Sequence, residues 1–349
     1  MNIIYVRMQG YDWVSVPTDE VVRELEKLGH KIYIVDHPDR IPTGTWDWVW
    51  SPYESVTLLG DVVARTMGIP HYSHIEVLPP WRCIDNPDYE NYGLTDKNDP
   101  EIKNFNQMQP YYIKVGTAWK NADIRSLSTP VRLEMHKKLF PDLGDVVYDF
   151  PPIELNMANK AKKMFSPKRI FNRVVTISRA IAIKRYDLLV KVMNQLKTPV
   201  TWTIVGDGPM LKFIETNINN NNVTVTPLGG LWGWAKWYEL LKSSVLVYAM
   251  GGMPPIEAAL MGCKPICIEQ QPTRDIPDFD KFMESNFGNS VPIFKYDKTE
   301  DMAELVDSAL AGRDILKEYN TVEKFMSGET NVRPAAEYAK TIVERMISF

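Results

Sequence analysis

The chain has 349 residues, 44% of them hydrophobic and 24% charged, with a formal net charge of −4. That length exceeds one ordinary core and calls for two domains, and the composition is that of an ordinary globular protein. The acidic balance argues against a partner held mainly through a phosphate backbone, and no apolar run approaches the ~20 residues needed to span a bilayer. Because net charge averages over both domains, a basic face for peripheral membrane contact stays compatible with it. Three cysteines, Cys83, Cys263 and Cys267, cannot all pair, which suits reduced thiols in a cytoplasm.

The first residues, MNIIYVRMQG, lack the charged start and cleavage site of a signal peptide and are expected to form a first strand, with Gly10 in the turn after it. Thr18 is placed to cap a helix over TDEVVRELEKLG, with Glu20 in its first turn and Gly29 ending it. KIYIVD and WDWVWSP follow as strands, LLGDVVARTMG as a helix stopped by Gly68, and IPHYSHIEV as a fourth strand. From Trp81 to about Gln109 the rhythm breaks into Pro, Asn, Asp and aromatic residues, as expected of a functional loop or lid. Helix, strand, helix and strand then return at YYIKVGTAWKNA, IRSLS, RLEMHKKLF and VVYDF.

Asp149 to Lys168, with its adjacent prolines and Ser166-Pro167, is the expected interdomain linker. The second half reads as the strands RVVTISR, TWTIVGD, NVTVTPL, SVLVYAM and KPICIE with helices between them. From Asp301 onward the pattern is helical, and Pro334 starts a last helix. Both halves therefore predict doubly wound α/β layers, with no internal repeat beyond that similarity.

Chemistry concentrates after the buried strands of the second half. Arg179 and Lys184, in R-x4-K after a buried strand, place two cations at the sheet edge where doubly wound folds bind ligands, suited to a leaving group that gains negative charge as a bond breaks. Val205-Gly206-Asp207-Gly208-Pro209 predicts a tight turn with Asp207 as a cap. In GGMPPIEAALMG, Gly251, Gly252 and Met253 precede a helix started by Pro254 or Pro255, and Glu257 is a first-turn carboxylate able to accept ribose hydroxyls. Gly229 and Gly230 offer backbone to a base edge with Leu231 or Trp232 over its face, whereas Trp234 and Trp237 are spaced for packing.

These fragments, in this order, resemble the donor half of retaining GT-B glycosyltransferases, in particular the GT4 family. The resemblance implies two Rossmann-like domains facing across a cleft. One comprises residues 1–152 plus 334–349 and binds the acceptor; the other, 153–333, binds the nucleotide sugar. The final helix is expected to cross back onto the first domain. It implies donor binding by Arg179, Lys184, Gly229, Gly230, Gly251, Gly252, Met253, Glu257 and Gly10, and a catalytic or positioning role for His74, which sequence alone does not separate from His71. Two positions depart from the family pattern: Arg185 stands where Gly is usual, and Ala249 replaces the first Glu of E-x7-E, which leaves the sugar open and admits a degenerate binding protein. The acceptor is left open among a glycan, a lipid-linked or small molecule and, against the net charge, DNA as in phage enzymes.

No cofactor or metal is expected. His71-x-x-His74 has only Glu76 as a nearby third ligand, and Asp278-Phe279-Asp280, formally D-x-D, lies in a Pro-rich loop beyond the donor motifs. A dinucleotide-dependent dehydrogenase is disfavoured because no G-x-G-x-x-G follows the first strand.

Overall fold

The computed structural model describes residues 1–7, 12–75, 100–128, 133, 136–137, 140–149, 152–181, 184–230, 233–249, 253–269, 287–330 and 332–349. The first half contains β1 (Asn2–Val6), α1 (Asp12–Lys27), β2 (Lys31–Val35), β3 (Trp48–Ser51), α2 (Glu54–Met67), β4 (His71–Ile75), α3 (Pro100–Lys120), β5 (Ile124–Leu127) and β6 (Val146–Tyr148). Its six strands are all parallel, in the order β2-β1-β3-β4-β5-β6.

After α4 (Leu155–Met164), the second half builds β7 (Ile170–Ile177), α5 (Tyr186–Asn194), β8 (Val200–Val205), α6 (Met210–Asn217), β9 (Val223–Pro227), α7 (Trp234–Lys242), β10 (Ser243–Ala249), α8 (Pro254–Leu260), β11 (Lys264–Ile268) and β12 (Ile293–Phe294). These strands too are parallel, in the order β12-β11-β10-β7-β8-β9. Four helices finish the chain: α9 (Thr299–Leu310), α10 (Ile315–Tyr319), α11 (Thr321–Met326) and α12 (Ala335–Ser348).

The strands are apolar on both faces because helices cover both. In the first sheet Ile3, Tyr5, Trp50 and Tyr72 pack with Val21 and Leu25 of α1 and with Tyr338, Ile342 and Met346 of α12. Ile4 and Val49 meet Val56 and Val63 of α2 on the other face. In the second sheet Val174, Trp202, Val245 and Val247 face α5 and α9, while Val175, Leu246 and Cys267 face α7 and α8. Parallel sheets buried on both sides produce such near-continuous β-branched runs. The fold is GT-B, and its last helix crosses back onto the first sheet. The two chain crossings lie side by side: Ile153 bridges to Pro334, and the Ile153 amide donates to the Arg333 carbonyl at 2.9 Å. Cys263 and Cys267 are buried and unpaired, their thiols pushed up to about 12 by burial.

Four expectations need correction. Helix α1 begins at Asp12, six residues before Thr18. Thr18 is therefore no cap; its hydroxyl meets the Tyr5 hydroxyl at 2.6 Å, and Glu20 lies a further two residues inside the helix. Helix α3 begins at Pro100 and carries Pro110 in its interior, so residues 100–109 are helical and not loop; residues 76–99 lie outside the described residues. The linker contains a ten-residue helix, α4, because Leu155 to Met164 place Ala158 and Ala161 on one buried stripe. β12, two residues long, adds a sixth strand too short to announce itself by alternation.

Candidate functional site

The second sheet reverses its winding between β7 and β10. From β7 the chain moves outward through β8 and β9, then returns to the other side of β7 through β10, β11 and β12. Crevices at such switch points, beyond the carboxyl ends of the strands, are where doubly wound sheets bind ligands. Arg179 and Lys184 follow β7, and Met253 and Glu257 follow β10, so the expected cations and carboxylate leave neighbouring strands on either side of this point.

The loop carrying Arg179 is pinned from behind. The Ala180 amide donates to the Asp207 carbonyl at 2.7 Å, and the Met210 amide donates to the Ala180 carbonyl at 2.9 Å. A Cβ on Gly206 would sit 1.8 Å from the Ser178 carbonyl oxygen, and one on Gly208 would sit 2.3 Å from that of Ala180. The glycines of G-D-G-P thus allow two main chains to touch; they hold the cation loop. Asp207 does not cap α6. Its carboxylate accepts the Gly230 amide at 2.8 Å, and an antiparallel bridge joins Gly206 to Gly229. The Gly229-Gly230 loop is thereby tied to the same clasp, with Gly229 at φ 73°.

Arg179 is exposed and Lys184 half-buried. Arg185 takes a left-handed conformation, φ 48° and ψ 44°, at the entry to α5. This is the position where the resembled family has glycine, and the backbone explains why: L-residues pay a steric penalty there. Arg185 offsets it with a two-pronged ion pair, Nε and Nη2 donating to Asp187 at 2.9 and 2.8 Å, and its side chain is largely buried.

Glu257 lies in the first turn of α8 and is 2% exposed. Its carboxylate accepts a 2.8 Å hydrogen bond from Lys236 of α7. The same ammonium stands 3.8 Å from Glu154 and over the Trp237 ring, 4.4 Å from its centroid. Burial pushes the Glu154 carboxyl up to about 7, against the pull of Lys236. Next to it, Glu20 of α1 accepts the Asn156 amide at 3.1 Å, and burial raises its carboxyl as well. One oxygen of Glu154 and one of Glu20 are buried without a hydrogen-bond partner. A chain of charge therefore runs from Glu257 through Lys236 to the residues joining the two halves.

Met253 begins the turn, its carbonyl accepting the Glu257 amide at 3.0 Å. Ala249, the last residue of β10, is 2% exposed and belongs to the apolar layer under α5 and α9. Trp237 is fully buried and Trp234 packs against the same core. Gly10, Gly251, Gly252, Leu231, Trp232, Cys83 and the Asp278–Asp280 motif lie outside the described residues.

In the first half the structure separates the two histidines. They sit three residues apart on β4 and so on opposite faces. His71 Nε2 meets the Ser51 hydroxyl at 2.9 Å below Gly60, a packing arrangement at the start of the strand. His74 Nδ1 meets the Ser126 hydroxyl at 2.5 Å, nearer the carboxyl edge. Burial alone pushes His71 down to about 3, and burial with the nearby Arg345 charge does the same to His74; both rings are neutral near pH 7. Among the described residues no cluster of three or more His, Cys, Asp or Glu is arranged to hold a metal. No helix among them is long and apolar enough to cross a membrane.

Sequence reasoning missed Lys236, Glu154 and Glu20. Each lies in an amphipathic or linker segment with nothing to mark it, and only folding shows that the three meet. Arg345 and Asp149 were missed for the same reason, being 196 residues apart in the chain yet paired at 2.8 Å.

No protein-family model matches this sequence, and no curated protein matches it by sequence. Solved structures match by fold over the whole length. HepE (Alr3699) of Anabaena in complex with UDP-glucose aligns with a TM-score of 0.63 at 11% identity, covering 100% of both chains. An alpha-glucosyltransferase in complex with UDP and a 13-mer DNA containing a HMU base aligns at 0.63 and 11% identity, covering 99% of both. AviGT4, a glycosyltransferase involved in avilamycin A biosynthesis, aligns at 0.60 and 11% identity, covering 99% of this chain and 97% of its own.

Proposed function

We propose that this protein is a glycosyltransferase that takes its sugar from a nucleoside-diphosphate donor. The observation that carries this reading is the edge geometry: Arg179 and Lys184 leave β7, and Glu257 leaves β10, on the two sides of one switch point. Cations there suit a diphosphate whose charge grows as the glycosidic bond breaks. The Glu257 carboxylate suits paired ribose hydroxyls, with Lys236 donating to it at 2.8 Å in a buried place. The Gly229-Gly230 backbone, fixed by Asp207, suits a base edge, and Gly251, Gly252 and Met253 suit the approach to the donor. Gly10 is assigned to the donor from the first half, and His74 to a catalytic or positioning role.

The GT4-like order of the motifs supports retention of anomeric configuration without a metal, with attack from the leaving-group face and no protein nucleophile. The work is assigned to the cytoplasm. Because the fold is shared with structures holding UDP and UDP-glucose, UDP is the first nucleotide to try. Thermal-shift titration with UDP, GDP, ADP and their sugar conjugates tests the reading, since a ligand bound only by the folded state raises its melting point. Glu257→Ala and Lys184→Ala should each weaken binding of the preferred nucleotide while leaving the free protein folded. Wild-type affinity in both variants would remove the site assignment.

A second reading keeps the donor site and makes DNA the acceptor, favoured by the fold shared with the DNA-bound alpha-glucosyltransferase. The net charge of −4 opposes it. Salt-dependent retention of duplex DNA would support it, and absence of retention at low salt would dismiss it.

A further inference from the structure

The first sheet holds a buried polar chain that the donor site does not use. His74 Nδ1 lies 2.5 Å from the Ser126 hydroxyl. Ser126 in turn hydrogen-bonds the carboxylate of Asp149, which also accepts the Tyr72 hydroxyl on Oδ2. The other oxygen, Oδ1, pairs with Arg345 Nη2 at 2.8 Å, and that guanidinium donates to the Tyr148 carbonyl at 3.0 Å. His74, Ser126 and Tyr72 are at most 1% exposed and Asp149 is 5% exposed. The opposite ring nitrogen, His74 Nε2, is buried and has no hydrogen-bond partner.

Proton counting orders this chain. Arg345 Nη2 pairs with Asp149 Oδ1 at 2.8 Å, opposing the burial that raises this carboxyl, and a carboxylate held in such an ion pair only accepts. The single Ser126 proton is therefore directed at Asp149, which leaves a Ser126 lone pair facing the ring. A neutral imidazole can meet that lone pair only with a proton on Nδ1. Its Nε2 is then a bare acceptor, one residue from the carboxyl end of β4.

We propose that Ser126 and Asp149, locked by Arg345 of the crossing helix, are positioning residues that fix the His74 tautomer so that Nε2 accepts a substrate hydroxyl. The identity of that hydroxyl rests on the glycosyltransferase reading; the relay does not. Arg345 makes the last helix part of the site's machinery as well as a cover for the core, and an isolated buried nitrogen becomes a place that ligand completes.

Nitrogen-15 spectra of the histidine rings in the full chain test this, with His74 identified by its disappearance in His74→Gln. The free protein should carry the His74 proton on Nδ1, and Ser126→Ala, a small truncation, should move it to Nε2. Saturating UDP-glucose should shift the Nε2 resonance toward that of a hydrogen-bonded acceptor. UDP-glucose turnover, read as transfer or as hydrolysis, should fall about tenfold in kcat for Ser126→Ala with UDP affinity unchanged, and Ser126→Thr should restore it. A proton on Nε2 in the free wild-type protein overturns the proposal. So does an Nε2 resonance that ignores UDP-glucose while UDP binding is seen by thermal shift. If neither UDP-glucose nor any other nucleotide sugar of the thermal-shift series binds, the donor reading fails, and the free protein's tautomer still decides the relay.

Discussion

Replacing Glu154 with Gln removes a charge that the fold holds at a penalty. The carboxyl rises from its ordinary 4.5 to about 7 because burial outweighs the attraction of Lys236, while Glu257 and Glu20 push it the same way as burial does. The sign follows from proton counting. Below pH 4.5 the group is protonated in both states and contributes nothing. Between 4.5 and 7 the folded chain keeps a proton that the unfolded chain has released, so stability falls as pH rises. Above 7 the full deficit is present, and the displacement corresponds to roughly 3 kcal/mol. Glu154→Gln keeps the shape and cannot ionise, so the variant should match wild type near pH 4.5 and exceed it by up to that amount at pH 8. Urea unfolding of both proteins by tryptophan fluorescence at pH 5, 6.5 and 8 gives the difference directly, and groups common to both cancel. A difference that is flat with pH, or a wild type stronger than the variant at pH 8, would refute the reasoning.

Lys236→Met leaves Glu257 and Glu154 buried without their cation, and should cost about 3 kcal/mol at pH 8 but less at pH 5.5, where the Glu154 carboxyl carries a proton; denaturation at the two pH values checks this. Gly206→Ala places a methyl against the Ser178 carbonyl and must displace the loop bearing Arg179. A loss of about 1–3 kcal/mol is expected together with weaker UDP binding, read by melting and titration. Arg185→Gly relieves ~1 kcal/mol of left-handed strain while forfeiting the Asp187 pair, so its melting temperature should lie above that of Asp187→Ala, which keeps the strain and loses the pair.

The alternation of buried strands with helices was legible because parallel sheets covered on both faces need continuous apolar runs, and Val174–Ile177 and Val245–Ala249 supply them. The turns after those strands were legible through glycine, though their purpose was not. Gly206 and Gly208 looked like a helix entry and proved to be a contact between main chains, which no local pattern reports. The entry to α1 was misplaced because Thr18 has a capping chemistry, yet tertiary contact with Tyr5 claims its hydroxyl. Positions that follow a strand could be assigned to the carboxyl edge of the sheet from order alone. Residues that meet across the fold, such as Glu20 with Asn156 or Asp149 with Arg345, carry no mark in the sequence, since their pairing is created only when both sheets are in place.

The return of α12 has a consequence for how the protein is made. Synthesis proceeds from the N-terminus, and the first sheet is translated long before the helix that covers Ile3, Tyr5, Trp50 and Tyr72. Until residues 335–348 have left the ribosome, that apolar face is covered by α1 alone and Asp149 lacks its Arg345 partner. The half synthesised first is thus finished last, and it depends on the opposite end of its own polypeptide to become watertight.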